Sequence, residues 1–226
     1  MEEGDGTSVM DWIKGTRRLL EAQRDMRIRE FWVRPDASAP LDPWKVLRRE
    51  VEGCRKCQLW RNRREVVFGA GDTEAGIMFV GEAPGEEEDL RGEPFVGAAG
   101  ELLTRMIRAI RMERREVYIA NVLKCRPPGN RDPLPEEVEA CKPYILRQIE
   151  LVKPKVICAL GRIAGGTLLG TYLPLSRLRG KVHFVLGTKV VVTFHPAALL
   201  RNPGWKRQAW EDMKLLRKEY DGLELS

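Results

Sequence analysis

The stretch GEAPGEEED, residues 81–89, concentrates five carboxylates around a Pro-Gly turn: Glu82, Glu86, Glu87, Glu88 and Asp89. The chain as a whole is basic, with 39 Lys and Arg against 33 Asp and Glu in 226 residues and a net charge of +6. A glycine-rich turn after an apolar run is typical of a phosphate site, but these carboxylates would repel a phosphate. The turn therefore predicts a site with a different chemistry.

Four of the five cysteines have a spacing that suggests metal ligation. Cys54 and Cys57 form a Cys-x2-Cys pair, Cys125 follows after 67 residues and Cys141 after 15 more. Zinc ribbons and fingers favour two close pairs, whereas four dispersed thiolates suit a cubane iron–sulfur cluster. The pattern favours a metal site over unrelated thiols and leaves the metal open. Cys158 lies inside an apolar run, where a free cysteine is commonly a small buried residue.

Three further residues have positions that suggest binding. His195 directly follows an apolar run and precedes Pro196, so its ring is expected in a crevice. Asn121 ends another apolar run; it either caps a strand or presents an amide, whose acceptor and two donors match the imide edge of a pyrimidine. Phe95 is either a core residue or an aromatic face on a rigid loop. His183 is expected to be an ordinary, partly exposed residue.

The elements that must position these residues follow from apolar runs and helical periodicity. Four nearly continuous apolar runs predict strands covered on both faces, at 76–81, 117–122, 155–160 and 189–194, and 181–186 predicts an extra strand. Helical patterns occupy 44–53, the segments starting at 97 and 135, 162–170 and 205–220. Their alternation predicts a parallel sheet between helix layers.

The polar segments all leave the ends of predicted strands. GEAPGEEED follows the first strand, KCRPPGNRDP the second and HPAALLRNP the fourth. In open parallel sheets the ligand crevice lies beyond the carboxyl ends of the strands. The sequence therefore predicts a single site at this edge of the sheet.

The first 43 residues are predicted to be an extension, with a helix over 8–33 and a proline-rich linker over 34–43, before a domain spanning 44–226. No apolar run approaches the roughly 20 residues of a membrane span, and the acidic N-terminus does not resemble a signal peptide. We therefore expect a cytoplasmic protein without membrane association. The excess of base indicates either a polyanionic partner or a solvated, charge-rich surface.

Four motifs carry a resemblance: GEAPGEEED, GEPFVGAAGELL, NVLKCRPPGNRDP and HPAALLRNP. Together with the four cysteines they resemble the iron–sulfur class of uracil-DNA glycosylases, family 4, over about residues 44 to 220. The resemblance implies a three-layer α/β/α sandwich with a central, mainly parallel four-stranded sheet. It also implies a structural [4Fe-4S] cluster on Cys54, Cys57, Cys125 and Cys141. The expected partner is uracil-containing DNA, double- or single-stranded, and a monomer is expected.

The resemblance further implies that the protein flips uracil out of DNA and hydrolyses its N-glycosidic bond. Asn121 would hold the uracil edge, Phe95 would stack on the base, and His195 would donate to the uracil O2 oxygen. The backbone N–H groups of Glu82 and Ala83 are candidates for further contacts.

Other branches of the superfamily have a water-activating aspartate where this chain has Ala83. We therefore expect Glu82 to support the cationic sugar and position the water, helped by Asn130. Glu88 is expected to shape the pocket near uracil C5, and Glu86 and Glu87 to be solvated. Leu199, Leu200 and Arg201 are predicted to form a DNA wedge, with Lys206 near a phosphate.

Two alternatives remain open. The first is a non-catalytic nucleic-acid-binding iron–sulfur protein of the same fold, although Glu82, Asn121, Asn130 and His195 are all present. The second is a relative that traps the abasic sugar covalently. That chemistry would require a histidine in the loop after the second strand, and KCRPPGNRDP has none.

Overall fold

The computed structural model describes residues 42–222, so the helix predicted over 8–33 lies outside the described residues. The described part contains six strands, numbered β1 to β6: Ala70–Gly71, Ile77–Gly81, Tyr118–Asn121, Val156–Leu160, Val182–Val185 and Thr188–Thr193. It also contains eight α-helices, numbered α1 to α8: Pro43–Glu52, Glu86–Arg91, Ala98–Ala109, Pro135–Val152, Arg162–Leu169, Leu175–Leu178, Pro196–Arg201 and Lys206–Asp221.

The sheet has the strand order β1-β3-β2-β4-β6-β5. Its four central strands are parallel, as predicted, whereas β1 and β5 pair antiparallel at the two edges. The sheet therefore has two strands more than the four central strands implied by the resemblance. β5 corresponds to the extra strand predicted over 181–186. β1 was not predicted, because its two residues are too few for an apolar pattern.

Alternate side chains of the central strands enter two separate cores, because successive residues of a strand point to opposite faces. Met78 and Val80 pack in the core that contains α1 and α4. Ile77 and Phe79 pack in the core that contains α3 and α8. This arrangement confirms the three-layer α/β/α sandwich, and every residue of β2 and β4 is buried.

Local signals in the sequence determine where the helices begin. Asp42 caps α1 by accepting a hydrogen bond from the Trp44 backbone N–H (2.9 Å), a contact worth about 1 kcal/mol. Pro135 occupies the first turn of α4, as predicted, because proline needs no backbone donor there. No helix within residues 42–222 is long and apolar enough to cross a membrane.

Candidate active site

A cavity of about 340 Å³ opens beyond the carboxyl ends of β2, β3 and β6. Eight residues singled out in the sequence line this one cavity: Glu82, Ala83, Glu88, Phe95, Asn121, Asn130, His195 and Arg201. Asp132 also contributes to its wall. The fold thus brings together groups from four separate segments of the chain, as the strand-end argument predicts.

Asn121 ends β3 with its side chain almost completely buried, at 1% exposure. Its Oδ1 atom is the single buried side-chain oxygen or nitrogen within residues 42–222 that has no hydrogen-bond partner. Burying an unpaired amide oxygen costs on the order of 1–3 kcal/mol, so such an atom is unusual in a folded protein. Because Asn121 lines the cavity, a ligand that donates a hydrogen bond would satisfy it.

His195 precedes α7 as its N-cap residue, and its Nδ1 atom accepts a hydrogen bond from the Ala197 backbone N–H (3.2 Å). Burial and, to a smaller extent, the positive charge of Arg201 together lower the pKa of His195 to about 4, while Glu88 opposes the shift. The ring is therefore neutral near pH 7. Because Nδ1 is an acceptor, the proton of the neutral ring is on Nε2, which is free to donate.

Phe95 is both a buried residue and an aromatic face of the site, because it is only 5% exposed and also lines the cavity. Its ring lies 5.5 Å from the His195 ring, centroid to centroid, with a tilt of 31°. Phe95 has a φ of 55°, a strained value for a residue other than glycine. Arg114 holds the loop by donating from Nη2 to the Pro94 carbonyl oxygen (2.5 Å).

Most of the acidic run forms the first turn of α2, an element that the sequence analysis missed. Carboxylates at a helix N-terminus interact favourably with the helix dipole, which accounts for part of the clustering. Glu86 and Glu87 are exposed and make only long ion pairs with Arg126 (3.6 Å) and Arg91 (3.7 Å), as predicted for solvated residues. The sequence signal that could have indicated this helix is a glycine at each of its ends, Gly85 and Gly92.

Two other carboxylates of this run are structural. Asp89 is 2% exposed and accepts a hydrogen bond from the Arg64 backbone N–H (3.1 Å). Glu88 accepts from the Gly85 N–H through Oε2 (3.0 Å) and from the Val96 N–H through Oε1 (3.0 Å). Glu88 therefore joins the acidic turn to the loop that carries Phe95.

Glu82 differs from its acidic neighbours because it lies outside α2 and faces the cavity. Burial and, to a smaller extent, the negative charge of Asp132 together raise the pKa of Glu82 to about 7, while the positive charge of Arg162 opposes the shift. A perturbed carboxyl group in a cleft is a candidate functional group.

Asn130 also reaches the cavity, but its Oδ1 atom already accepts a hydrogen bond from Arg126 Nε (2.8 Å). Its Nδ2 atom is the group available toward the cavity.

The predicted DNA wedge needs one correction. Leu199 is only 2% exposed and packs with Leu102, Phe194 and Ala209 in a small core cluster, so it cannot insert between bases. Leu200 is 41% exposed. The sequence could not separate these adjacent leucines because the helical turn of α7 directs one of them inward.

The four predicted ligands, Cys54, Cys57, Cys125 and Cys141, line a second, small cavity. Arg63 Nη1 donates to Cys125 Sγ (3.3 Å), and burial raises the pKa of Cys141 to about 12. Within residues 42–222 no three His, Cys, Asp or Glu side chains are grouped as ligands of one metal ion. The ligands of a four-iron cluster lie farther apart than those of a single ion, because each thiolate binds a different iron. Cys158 is fully buried in the core on the other face of the sheet, as expected.

Comparisons with known proteins show the family to which the chain belongs. Residues 68–214 match the profile of the Uracil DNA glycosylase superfamily. The chain is 49% identical over 174 residues to a type-4 uracil-DNA glycosylase of Archaeoglobus fulgidus, covering 74% of this chain and 87% of that protein. It is 48% identical to a type-4 uracil-DNA glycosylase of Thermotoga maritima, covering 70% and 83%.

These matches show that the chain has the fold of the uracil-DNA glycosylase superfamily. Within that superfamily, the chain belongs to the type-4 uracil-DNA glycosylases. The family predicted from the four motifs is confirmed.

Proposed function

We propose that this protein is a DNA repair enzyme that removes uracil from DNA by hydrolysing its N-glycosidic bond, leaving an abasic site. The observation that carries the proposal is the buried, unpaired Oδ1 atom of Asn121 at the cavity wall. Uracil N3–H would donate to this oxygen, and uracil O4 would accept from Nδ2. Cytosine offers an acceptor and a donor in reversed places, so both contacts would be lost.

The reaction requires a base outside the helical stack, and flipping it costs a few kcal/mol. Phe95 would provide the face on which the flipped base stacks. Cleavage of the C1′–N1 bond leaves negative charge on uracil, and His195 Nε2–H would donate to O2 as that charge develops. One such preorganised donor is worth roughly 3–4 kcal/mol in other enzymes.

The sugar left behind has cationic character, and Glu82 would stabilise it and position the attacking water. Glu82 and Asp132 both line the cavity, and their mutual repulsion is part of what raises the pKa of Glu82. A developing positive charge nearby favours the ionised carboxylate. Asn130 would hold the water with Nδ2, since its oxygen is engaged by Arg126.

The four cysteines would hold a [4Fe-4S] cluster. They fit this group because the donors are all thiols and line one cavity, with Arg63 donating to one of the sulfur atoms. When bound, the cluster ties the segment after α1 to the loop after β3 and to α4. It has a structural role and no part in cleaving the glycosidic bond.

The partner would be uracil-containing DNA, double- or single-stranded, bound by a monomer in the cytoplasm. Leu200 and Arg201 would form the wedge, without Leu199, and Lys206 would contact a phosphate. Residues 1–43 would form an extension outside the glycosylase domain of residues 44–226.

The decisive experiment is incubation with an oligonucleotide that contains a single uracil, followed by alkali. We expect strand cleavage at the uracil and none in a matched oligonucleotide with thymine at that position. An iron-loaded protein that binds the DNA but produces no cleavage would establish the non-catalytic alternative.

A further inference from the structure

Lys124 is a lysine enclosed by protein, with only 1% of its surface exposed. Its Nζ atom donates to the backbone carbonyl oxygen of Asn121 (2.7 Å) and to Gln148 Oε1 (2.5 Å). The Gln148 amide is itself fixed, since Nε2 donates to the Phe68 carbonyl oxygen (2.9 Å) and to the Tyr118 hydroxyl (3.1 Å). Both acceptors of the ammonium group are therefore neutral and firmly held.

A buried ammonium group is costly unless an opposite charge lies nearby. Within residues 42–222 no carboxylate forms an ion pair with Lys124. Lys124 instead lines the cavity of the four cysteines. Four iron-bound thiolates would supply the missing negative charge.

The same ammonium group contacts the backbone of a residue that lines the active-site cavity. It anchors the main chain of Asn121, the residue whose side-chain oxygen lies unpaired in the active-site cavity. Lys124 thus lines the cysteine cavity and holds the main chain of a residue that lines the active-site cavity, although the two cavities share no lining residue.

We propose that Lys124 is a positioning residue that couples the iron–sulfur cluster to uracil recognition. Its charge stabilises the bound cluster, and its hydrogen bond fixes the backbone that directs the Asn121 amide. The inference rests on the cluster and the glycosylase activity proposed above.

The test compares three variants of the cluster-containing protein: Lys124→Met, Gln148→Glu and Lys56→Met. Lys56 is the matched control, because it lines the same cavity but is exposed, with its ammonium group over the Tyr144 ring (4.8 Å to the centroid). For each variant, iron content, the reduction potential of the cluster and single-turnover uracil excision are measured.

Lys124→Met is expected to retain iron, to move the reduction potential to a more negative value and to slow excision at least tenfold. Lys56→Met should shift the potential less, because solvent screens its charge, and should excise uracil within twofold of the wild-type rate. If Lys124→Met does not fold, the reduction potential of Gln148→Glu tests the effect of the Lys124 charge on the cluster. Its carboxylate would offset the ammonium charge and move the potential in the same direction.

An iron-loaded Lys124→Met or Gln148→Glu protein with the potential of Lys56→Met would overturn the proposal. A changed potential with unchanged excision by Lys124→Met would overturn the coupling. A wild-type protein without iron would overturn the cluster assignment and this proposal with it. Iron content therefore distinguishes a failure of the cluster assignment from a failure of the role proposed for Lys124.

Discussion

Gly81 and Asn121 lie opposite each other at the ends of neighbouring parallel strands, and a methyl group on Gly81 would lie 2.3 Å from Asn121 Oδ1. The same methyl group would lie 2.6 Å from Phe95 Cζ. The two groups proposed to hold the base are therefore both packed against a glycine. Asn121 and Phe95 can occupy these positions only because residue 81 has no side chain.

Gly81→Ala should displace the Asn121 amide and the Phe95 ring, which are side-chain ends that can move. We expect uracil excision to fall at least about 10²-fold, or roughly 2.7 kcal/mol of barrier, with a small loss of stability. Gly76→Ala is the matched control, because just before the same strand the added methyl group would lie 2.5 Å from Tyr220. It should affect thermal unfolding only; equal loss of excision in both variants would contradict the role assigned to Gly81.

Asn121→Asp tests recognition of the base. The ionised carboxyl group has no donor for uracil O4, and in the protonated form that burial favours, its O–H and C=O match the acceptor and donor of cytosine. We expect at least about 10²-fold slower uracil excision, roughly 2.7 kcal/mol, together with measurable release of cytosine. Parallel assays on oligonucleotides with uracil or cytosine at one position check both effects. Unchanged uracil excision would remove Asn121 from the pocket.

Glu82→Gln preserves the shape of the side chain and removes its charge. Single-turnover excision should slow at least about 10²-fold, roughly 2.7 kcal/mol, while DNA binding is retained or becomes tighter. Glu87→Gln changes the net charge equally at an exposed position and should change the rate less than about threefold, under roughly 0.7 kcal/mol. Equal rates for the two variants would transfer the role to Asn130 or Glu88.

The pH dependence of excision follows from Glu82 and His195. The pKa of Glu82 is raised to about 7, so the ionised form that the mechanism needs accumulates as the pH rises through 7. The pKa of His195 is lowered to about 4, so its neutral donor form is present throughout this range. The rate should therefore rise between about pH 5 and about pH 8 along a single limb. A flat profile in Glu82→Gln would assign that limb to Glu82; an unchanged profile would assign it elsewhere.

Iron content distinguishes the four candidate ligands from the fifth cysteine. The purified protein should be brown and contain about four irons per chain. Cys125→Ser should lower the iron content or prevent folding, whereas Cys158→Ser should leave it unchanged because Cys158 lies in the other core. Stoichiometric zinc without iron after anaerobic purification would be the contrary result.

The sequence predicted the central parallel strands because short, continuous apolar runs are typical of strands that are covered on both faces. The ends of those strands then placed His195 and Asn121 at one edge of the sheet. The sequence did not predict α2, whose six residues are almost all charged. The burial of Leu199 and Lys124 was also not predictable, because each depends on packing partners distant in the chain, such as Ala209 and Gln148. The close approach of Gly81 to Asn121 depends on strand register, which an apolar pattern does not determine.

The two hydrogen-bonding oxygens of Glu88 have a consequence for how the enzyme holds DNA. Gly85 and Gly97 are the N-cap residues of α2 and α3, and the Glu88 carboxylate accepts from the N–H groups of both (3.0 Å and 3.3 Å). The N-termini of α2 and α3, which could otherwise bind a phosphate, thus already bind the Glu88 carboxylate. In the proposed complex, exposed basic side chains such as Arg201 and Lys206 would instead hold the phosphates that flank the flipped nucleotide. Because these contacts are ionic, a higher salt concentration should weaken DNA binding. It should not alter the shape of the pocket that binds the base.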